Sequence, residues 1–125
     1  MGSKSDVLIV EDDFDIREVL TEVLKDEGYS VMGAANGREA LDLLASAESL
    51  PSLILLDLMM PVMSGWQFVA EQRQIPAYAA IPVVVVSADG NLQQKAGTLG
   101  ASGFLRKPIE IESLLGVVAR YCKKQ

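Results

Sequence analysis

Ser52-Leu53-Ile54-Leu55-Leu56-Asp57 is the stretch on which the fold turns. Leu53 to Leu56 run without a polar break and stop at an acid. A strand with one wet face would alternate; this one does not, so both of its faces are buried, as in a parallel sheet covered by helices. Working outward, residues 6–10 (DVLIV) form the same kind of run and end at Glu11-Asp12-Asp13. Residues 82–86 (PVVVV) end at Ser87, and the short run 103–106 (GFLR) ends at Lys107-Pro108. A weaker strand is predicted at 29–34. Between these runs lie stretches with apolar residues at helical spacing. Ile16, Val19, Leu20, Val23 and Leu24 mark a helix over 14–27, with Gly28 as its stop. Asn36-Gly37 is predicted to turn the chain, and Ala40, Leu41, Leu43 and Leu44 then mark a helix over 38–46. A loop over 58–64 leads to a third helix over 65–74. A poor, glycine-bearing fourth helix spans 91–100, and a last helix spans 109–123 with Ile111, Leu114, Leu115, Val118 and Ala119 on one face. Strand and helix alternate throughout, which predicts an α/β (βα)5 doubly wound domain with a five-stranded parallel sheet.

The bulk properties narrow the function. The 125 residues suit a single domain over 1–125, and half of them are apolar, enough for a real core. Residues 1–4 are set aside as a tail, with Met1-Gly2-Ser3 resembling a cloning remnant. A net charge of −6 repels nucleic acid phosphates and anionic membrane surfaces, so direct contact with either is not expected. No apolar run reaches the ~18 residues that a membrane span needs. A single cysteine, Cys122, excludes an internal disulfide; with no signal peptide visible, a cytoplasmic location is expected. The chain has no histidine. A Ser-His-Asp triad, a histidine metal site and an internal phosphohistidine are therefore excluded.

In doubly wound folds ligands bind at the carboxyl ends of the strands. Here those ends carry Glu11, Asp12 and Asp13, then Asp57, then Ser87, then Lys107. Two carboxylates ~4 Å apart repel by about 4 kcal/mol at an effective dielectric near 20. Either one takes a proton or a cation sits among them. All-oxygen ligands favour a hard divalent ion, and a loosely built site suits Mg²⁺, with Mn²⁺ as a substitute. A carboxylate can also attack phosphorus to form an acyl phosphate, while a metal and a lysine neutralise the transferring group.

At these residues the sequence resembles the receiver domain of bacterial response regulators in two-component and chemotaxis signalling. The matching pieces are Leu8-Ile9-Val10-Glu11-Asp12-Asp13, Leu55-Leu56-Asp57 through Met60-Pro61 to Gly65, Val86-Ser87-Ala88, and Gly100 through Lys107-Pro108. The resemblance implies a flavodoxin-like strand order 2-1-3-4-5. It implies Asp57 as phosphoacceptor, Asp12 and Asp57 as direct metal ligands with the Met59 backbone carbonyl, and Glu11 acting on the metal through water. It implies that Ser87 and Lys107 contact the phosphoryl group, that Ser87 and Phe104 form a switch, and that Lys107-Pro108 is cis. The implied partners are a sensor histidine kinase or histidine phosphotransfer protein, and an output protein or effector domain. Turnover of a free substrate is not expected; self-catalysed phosphoacceptance and slow autodephosphorylation are. Met59 and Asp89 stand at positions that tune dephosphorylation in the family, and Met59 offers no hydrogen bond to an attacking water.

Simpler roles compete at several positions. Asp13 suits a helix cap, Trp66 and Phe68 suit packing, and Arg106, Lys123 and Lys124 suit solvated charge. Asp13 and Asp89 are kept as minor site residues. Three other functions compete with this one. A haloacid-dehalogenase-type phosphatase or phosphotransferase needs a second acid two residues after the nucleophile, where Met59 stands. A flavodoxin-like cofactor binder needs a phosphate-cradling loop where Glu11-Asp12-Asp13 stands. A non-phosphorylated interaction module predicts loss of a site residue, and none is lost. The sequence ends soon after the last helix, which fits a stand-alone receiver, as in a phosphorelay, or a piece of a larger regulator or hybrid kinase.

Overall fold

A computed structural model describes residues 6–122. The expectations for residues 1–4 and for Lys123 and Lys124 lie outside the described residues. Five strands form one sheet in the order β2-β1-β3-β4-β5. They are β1 (Val7–Val10), β2 (Val31–Ala34), β3 (Leu53–Asp57), β4 (Val83–Ser87) and β5 (Gly103–Arg106), and all pair in parallel. The helices are α1 (Phe14–Asp26), α2 (Gly37–Ser46), α3 (Gly65–Gln74), α4 (Pro76–Ala79), α5 (Leu92–Leu99) and α6 (Ile111–Tyr121).

Residues along a strand point alternately to opposite faces, and both faces are buried along β1, β3 and β4. Leu8, Val10, Ile54, Leu56, Val83 and Val85 meet Leu41 and Leu44 of α2, Phe68 of α3 and Leu92 of α5. Val7, Ile9, Leu53, Leu55, Val84 and Val86 meet Leu20 and Leu24 of α1 and Leu114 and Val118 of α6. Burying one such side chain contributes about 1.5–3 kcal/mol. That is the physical reason these strands tolerate no polar residue until they reach their ends. Among the described residues the helices are too short to cross a membrane.

The helix ends explain where the chain enters and leaves the sheet edge. Asp13 caps α1 by accepting the Ile16 N–H at 3.1 Å. Gly28, at φ 93°, takes the left-handed conformation that ends it. Ser64 and Gln67 form a reciprocal capping box at the start of α3.

Three differences from the sequence expectation have local causes. Asn36 does not simply turn the chain but caps α2, accepting the Glu39 N–H at 2.9 Å, so α2 begins at Gly37. The second strand is shorter than expected because Tyr29 and Ser30 lead into it, the Tyr29 ring being buried against α1. The one-turn α4 was not anticipated; four residues with Pro76 at its first turn leave no periodicity to read.

Candidate functional site at the carboxyl edge of the sheet

Strand register brings the polar strand ends level. Asp57 pairs with Val86 and Ser87 with Arg106. The Lys107 N–H reaches the Ser87 carbonyl at 2.9 Å, and the Glu11 N–H reaches that of Ala34 at 3.0 Å. Among the described residues, four polar or charged ones are buried: Glu11, Asp57, Gln72 and Ser87. Three of the four are strand-end residues of this site, so burial of polarity concentrates where no packing requirement calls for it.

The carboxyl oxygens of Glu11, Asp12 and Asp57 come within 4.8 Å of one another. Lys107 Nζ lies 2.8 Å from Glu11 Oε1 and 3.4 Å from Asp57 Oδ2. Asp57 Oδ1 accepts the Met59 N–H at 3.1 Å. Glu11 is held on further sides: its Oε2 accepts the Asp13 N–H at 3.1 Å, and its carbonyl accepts Arg17 Nη1 at 2.6 Å. Asp12 is exposed at the mouth.

One lysine cannot neutralise three acids. Burial pushes the Glu11 carboxyl up to about 7; Lys107 and the Asp13 N–H pull it down, and the neighbouring Asp57 pushes it up again. For Lys107, burial works against the charge, but Glu11 and Asp57 together outweigh it and leave the ammonium raised. The two shifts differ in what they say about the Glu11–Lys107 pair: one favours a neutral acid, the other a charged lysine. The charged lysine is the firmer statement, since two acids face it. The surplus negative charge is then neutralised by a proton on one of the acids, or offset by a cation. An all-oxygen donor set with surplus charge fits a hard divalent ion.

Gly65 makes the site compact. Its N–H meets the Leu58 carbonyl at 3.1 Å, and a Cβ there would lie 2.8 Å from the Asp57 carbonyl oxygen. Only glycine lets α3 start this close to the end of β3. Just before it, Val62 has φ 69°, a strained conformation for a β-branched residue, and is exposed.

The remaining expected residues fall as follows. Ser87 is buried, and its Oγ accepts the Asp89 N–H at 3.2 Å. Asp13 caps α1 and also borders the cleft, while Asp89 stands on its lip. Phe104 lies on β5 with its residue surface 38% exposed. The Lys107–Pro108 bond is cis. Phe68 is fully buried, and Trp66 packs against the same core. Arg106 is not merely solvated: its Nη1 donates to the Asp89 carbonyl at 2.8 Å. Two residues escaped notice in the sequence, Arg17 beneath Glu11 and Lys95 of α5 in the cleft wall. Arg17 is six residues past Glu11 on a helix face and Lys95 lies beyond an irregular loop, so neither contact has a sequence period.

A doubly wound parallel sheet with an acid cluster, a lysine and a hydroxyl at its carboxyl edge defines a class of α/β domain with an oxygen-rich strand-end site. The response regulator receiver domain family matches residues 7–119. The sporulation initiation phosphotransferase F of Bacillus subtilis is 36% identical over 117 residues, covering 92% of this chain and 91% of that one. The response regulator MprA of Mycolicibacterium vanbaalenii is 38% identical, but the match spans only 46% of it. The chemotaxis response regulator CheY4 of Vibrio cholerae has a TM-score of 0.84 at 35% identity, covering 95% of this chain and 99% of that one. The chain belongs to the receiver domain family of two-component response regulators. It spans nearly all of some relatives and about half of others, such as MprA.

Proposed function

We propose that this chain is a phosphorylatable signalling switch, in which Asp57 accepts a phosphoryl group from a phosphohistidine of a sensor kinase or histidine phosphotransfer protein. The observation that carries this is the buried Asp57 carboxylate, set beside Glu11 and Asp12 and facing Lys107. The chain has no histidine, so the donor lies outside these 125 residues. The Met59 N–H holds one Asp57 oxygen and leaves the geometry of the carboxylate defined. An Asp57 oxygen attacks phosphorus, the P–N bond breaks, and its electron pair returns to the donor imidazole. Lys107 then has a phosphoryl oxygen to pair with in place of part of its contact with Glu11 and Asp57. The Ser87 hydroxyl donates a hydrogen bond to another.

Asp12, Asp57, the Met59 carbonyl and, through water, Glu11 are the residues that would hold Mg²⁺ or Mn²⁺. When bound, the ion would neutralise charge on the carboxylates and the phosphoryl oxygens.

Movement of Ser87 toward the phosphoryl group draws on the loop that precedes α5. That helix has no side-chain cap at Asn91 and contains Gly97, so it is a soft element. With Phe104 changing its exposure, the surface of α5, β5 and α6 is the output face, read by a partner protein or an attached effector domain. Met59 offers no hydrogen bond to an attacking water, which favours a long-lived acyl phosphate.

Incubation with acetyl phosphate and Mg²⁺ is expected to add the mass of one phosphoryl group, and Asp57→Asn is expected to abolish it. An intact site that gains no mass under saturating conditions would instead favour a non-phosphorylated interaction module. On phosphorylation or beryllofluoride binding, amide exchange over 88–106 is expected to change.

A further inference from the structure

Two lysines line the cleft that contains Asp57, against five acids. Lys107 is committed to Glu11 and Asp57. The other, Lys95, reaches back from α5 to form an ion pair with Asp89. Asp89 is two residues past Ser87, on the lip of the same cleft.

Asp89 cannot easily leave that lip. Its N–H donates to Ser87 Oγ at 3.2 Å, and its carbonyl accepts Arg106 Nη1 at 2.8 Å. Its Oδ1 accepts the Asn91 N–H at 2.7 Å. The backbone is therefore pinned on both sides, and the carboxylate is oriented by its own turn. Its charge has to be offset in place. The Asp89 carboxyl is held below its usual range, first by Lys95 and then by the Asn91 N–H.

The side chains of Lys95 and Asp89 are 37% and 33% exposed, so the pair does little for folding stability. Its effect lies in the field at the cleft. With every lining group ionised, five acids and two lysines leave three net negative charges, and loss of Lys95 leaves four. An incoming phosphoryl group is itself an anion and must approach through that field.

We propose that Lys95 is a positioning residue for the phosphodonor: by covering Asp89 on the cleft lip, it admits doubly charged donors to Asp57. This rests on the assignment of Asp57 as phosphoacceptor. Lys95 acts through Asp89 and forms no bond to the reacting phosphorus. The pair thereby sets a preference among donors by their charge.

The test compares two small donors at pH 7 and low salt with Mg²⁺, following added phosphoryl mass in time. Acetyl phosphate is doubly charged and phosphoramidate singly charged. Lys95→Met is expected to slow acetyl phosphate by about 4-fold and phosphoramidate by about 2-fold, its square root, because Coulomb energy is linear in the donor's charge. Lys95→Arg is expected to restore both rates. Asp89→Asn combined with Lys95→Met is also expected to restore them, since the acid that Lys95 covers is removed with it. The difference between donors is expected to shrink with added salt. A wild-type chain that takes no phosphoryl group from either donor overturns the Asp57 assignment and this inference with it. A wild-type chain that is modified, with Lys95→Met slowing both donors equally or neither, overturns the role of Lys95 alone. Failure of the double variant to recover does the same.

Discussion

Replacing Gly65 with alanine tests how tightly α3 is set against the end of β3. The new Cβ would lie 2.8 Å from the Asp57 carbonyl oxygen and 2.9 Å from Leu58 Cα. Both neighbours are backbone, so no side-chain rotation relieves the clash; the helix must move by a few tenths of an ångström relative to the strand. Overpacking of this kind costs about 1–3 kcal/mol. Alanine recovers up to ~1 kcal/mol of helix propensity, less at a first helical residue. The clash wins, and the net loss should be about 1–2 kcal/mol. With a urea dependence of about 1–3 kcal/mol per molar, the midpoint should fall by roughly 0.5–1 M. Trp66, the next residue, provides a fluorescence signal for the titration. The control is Gly116→Ala in α6, where a Cβ meets nothing within 4 Å and should stabilise by up to ~1 kcal/mol. If Gly65→Ala matches the control's gain, the close approach of α3 to Asp57 is not what selects glycine. Because the same shift moves Asp57, phosphorylation by acetyl phosphate should also slow by roughly 10-fold or more.

Two further outcomes follow from the same site. Val62→Gly removes a β-branched residue from φ 69° and should raise stability by about 1 kcal/mol in a urea titration; a loss would mean the exposed Val62 side chain makes a compensating contact. In metal-free buffer, the folded Glu11 keeps a proton that the unfolded chain releases between pH 4.5 and about 7. Its contribution to stability therefore falls as pH rises through that window. Glu11→Gln lacks this loss, so its stability relative to wild type should climb from pH 5 to pH 8; a flat difference would contradict the burial of a protonated acid.

Much of this was legible in the amino-acid sequence. Runs such as Leu53 to Leu56 have no polar face, and a strand buried on both sides leaves no other composition open. Asp57 and Ser87 were visible as the first polar residues after such runs, because the sheet edge is the first place where polarity is tolerated; Lys107 was visible as the cation before Pro108 at the end of a shorter run. Helix starts at Asp13 and Ser64 were local matters of capping. What the sequence could not contain was distance between elements. That Lys107 sits closer to Glu11 than to Asp57 depends on how β1, β3 and β5 are spaced across the sheet. That Gly65 is needed for a close backbone approach depends on where α3 packs. Arg17 and Lys95 look like ordinary surface cations until α1 and α5 are docked, when one closes on the Glu11 carbonyl and the other on Asp89. Strand identity and the chemistry at strand ends come from local burial, which a one-dimensional pattern records. Pairing among those groups comes from long-range packing, which only the tertiary structure decides.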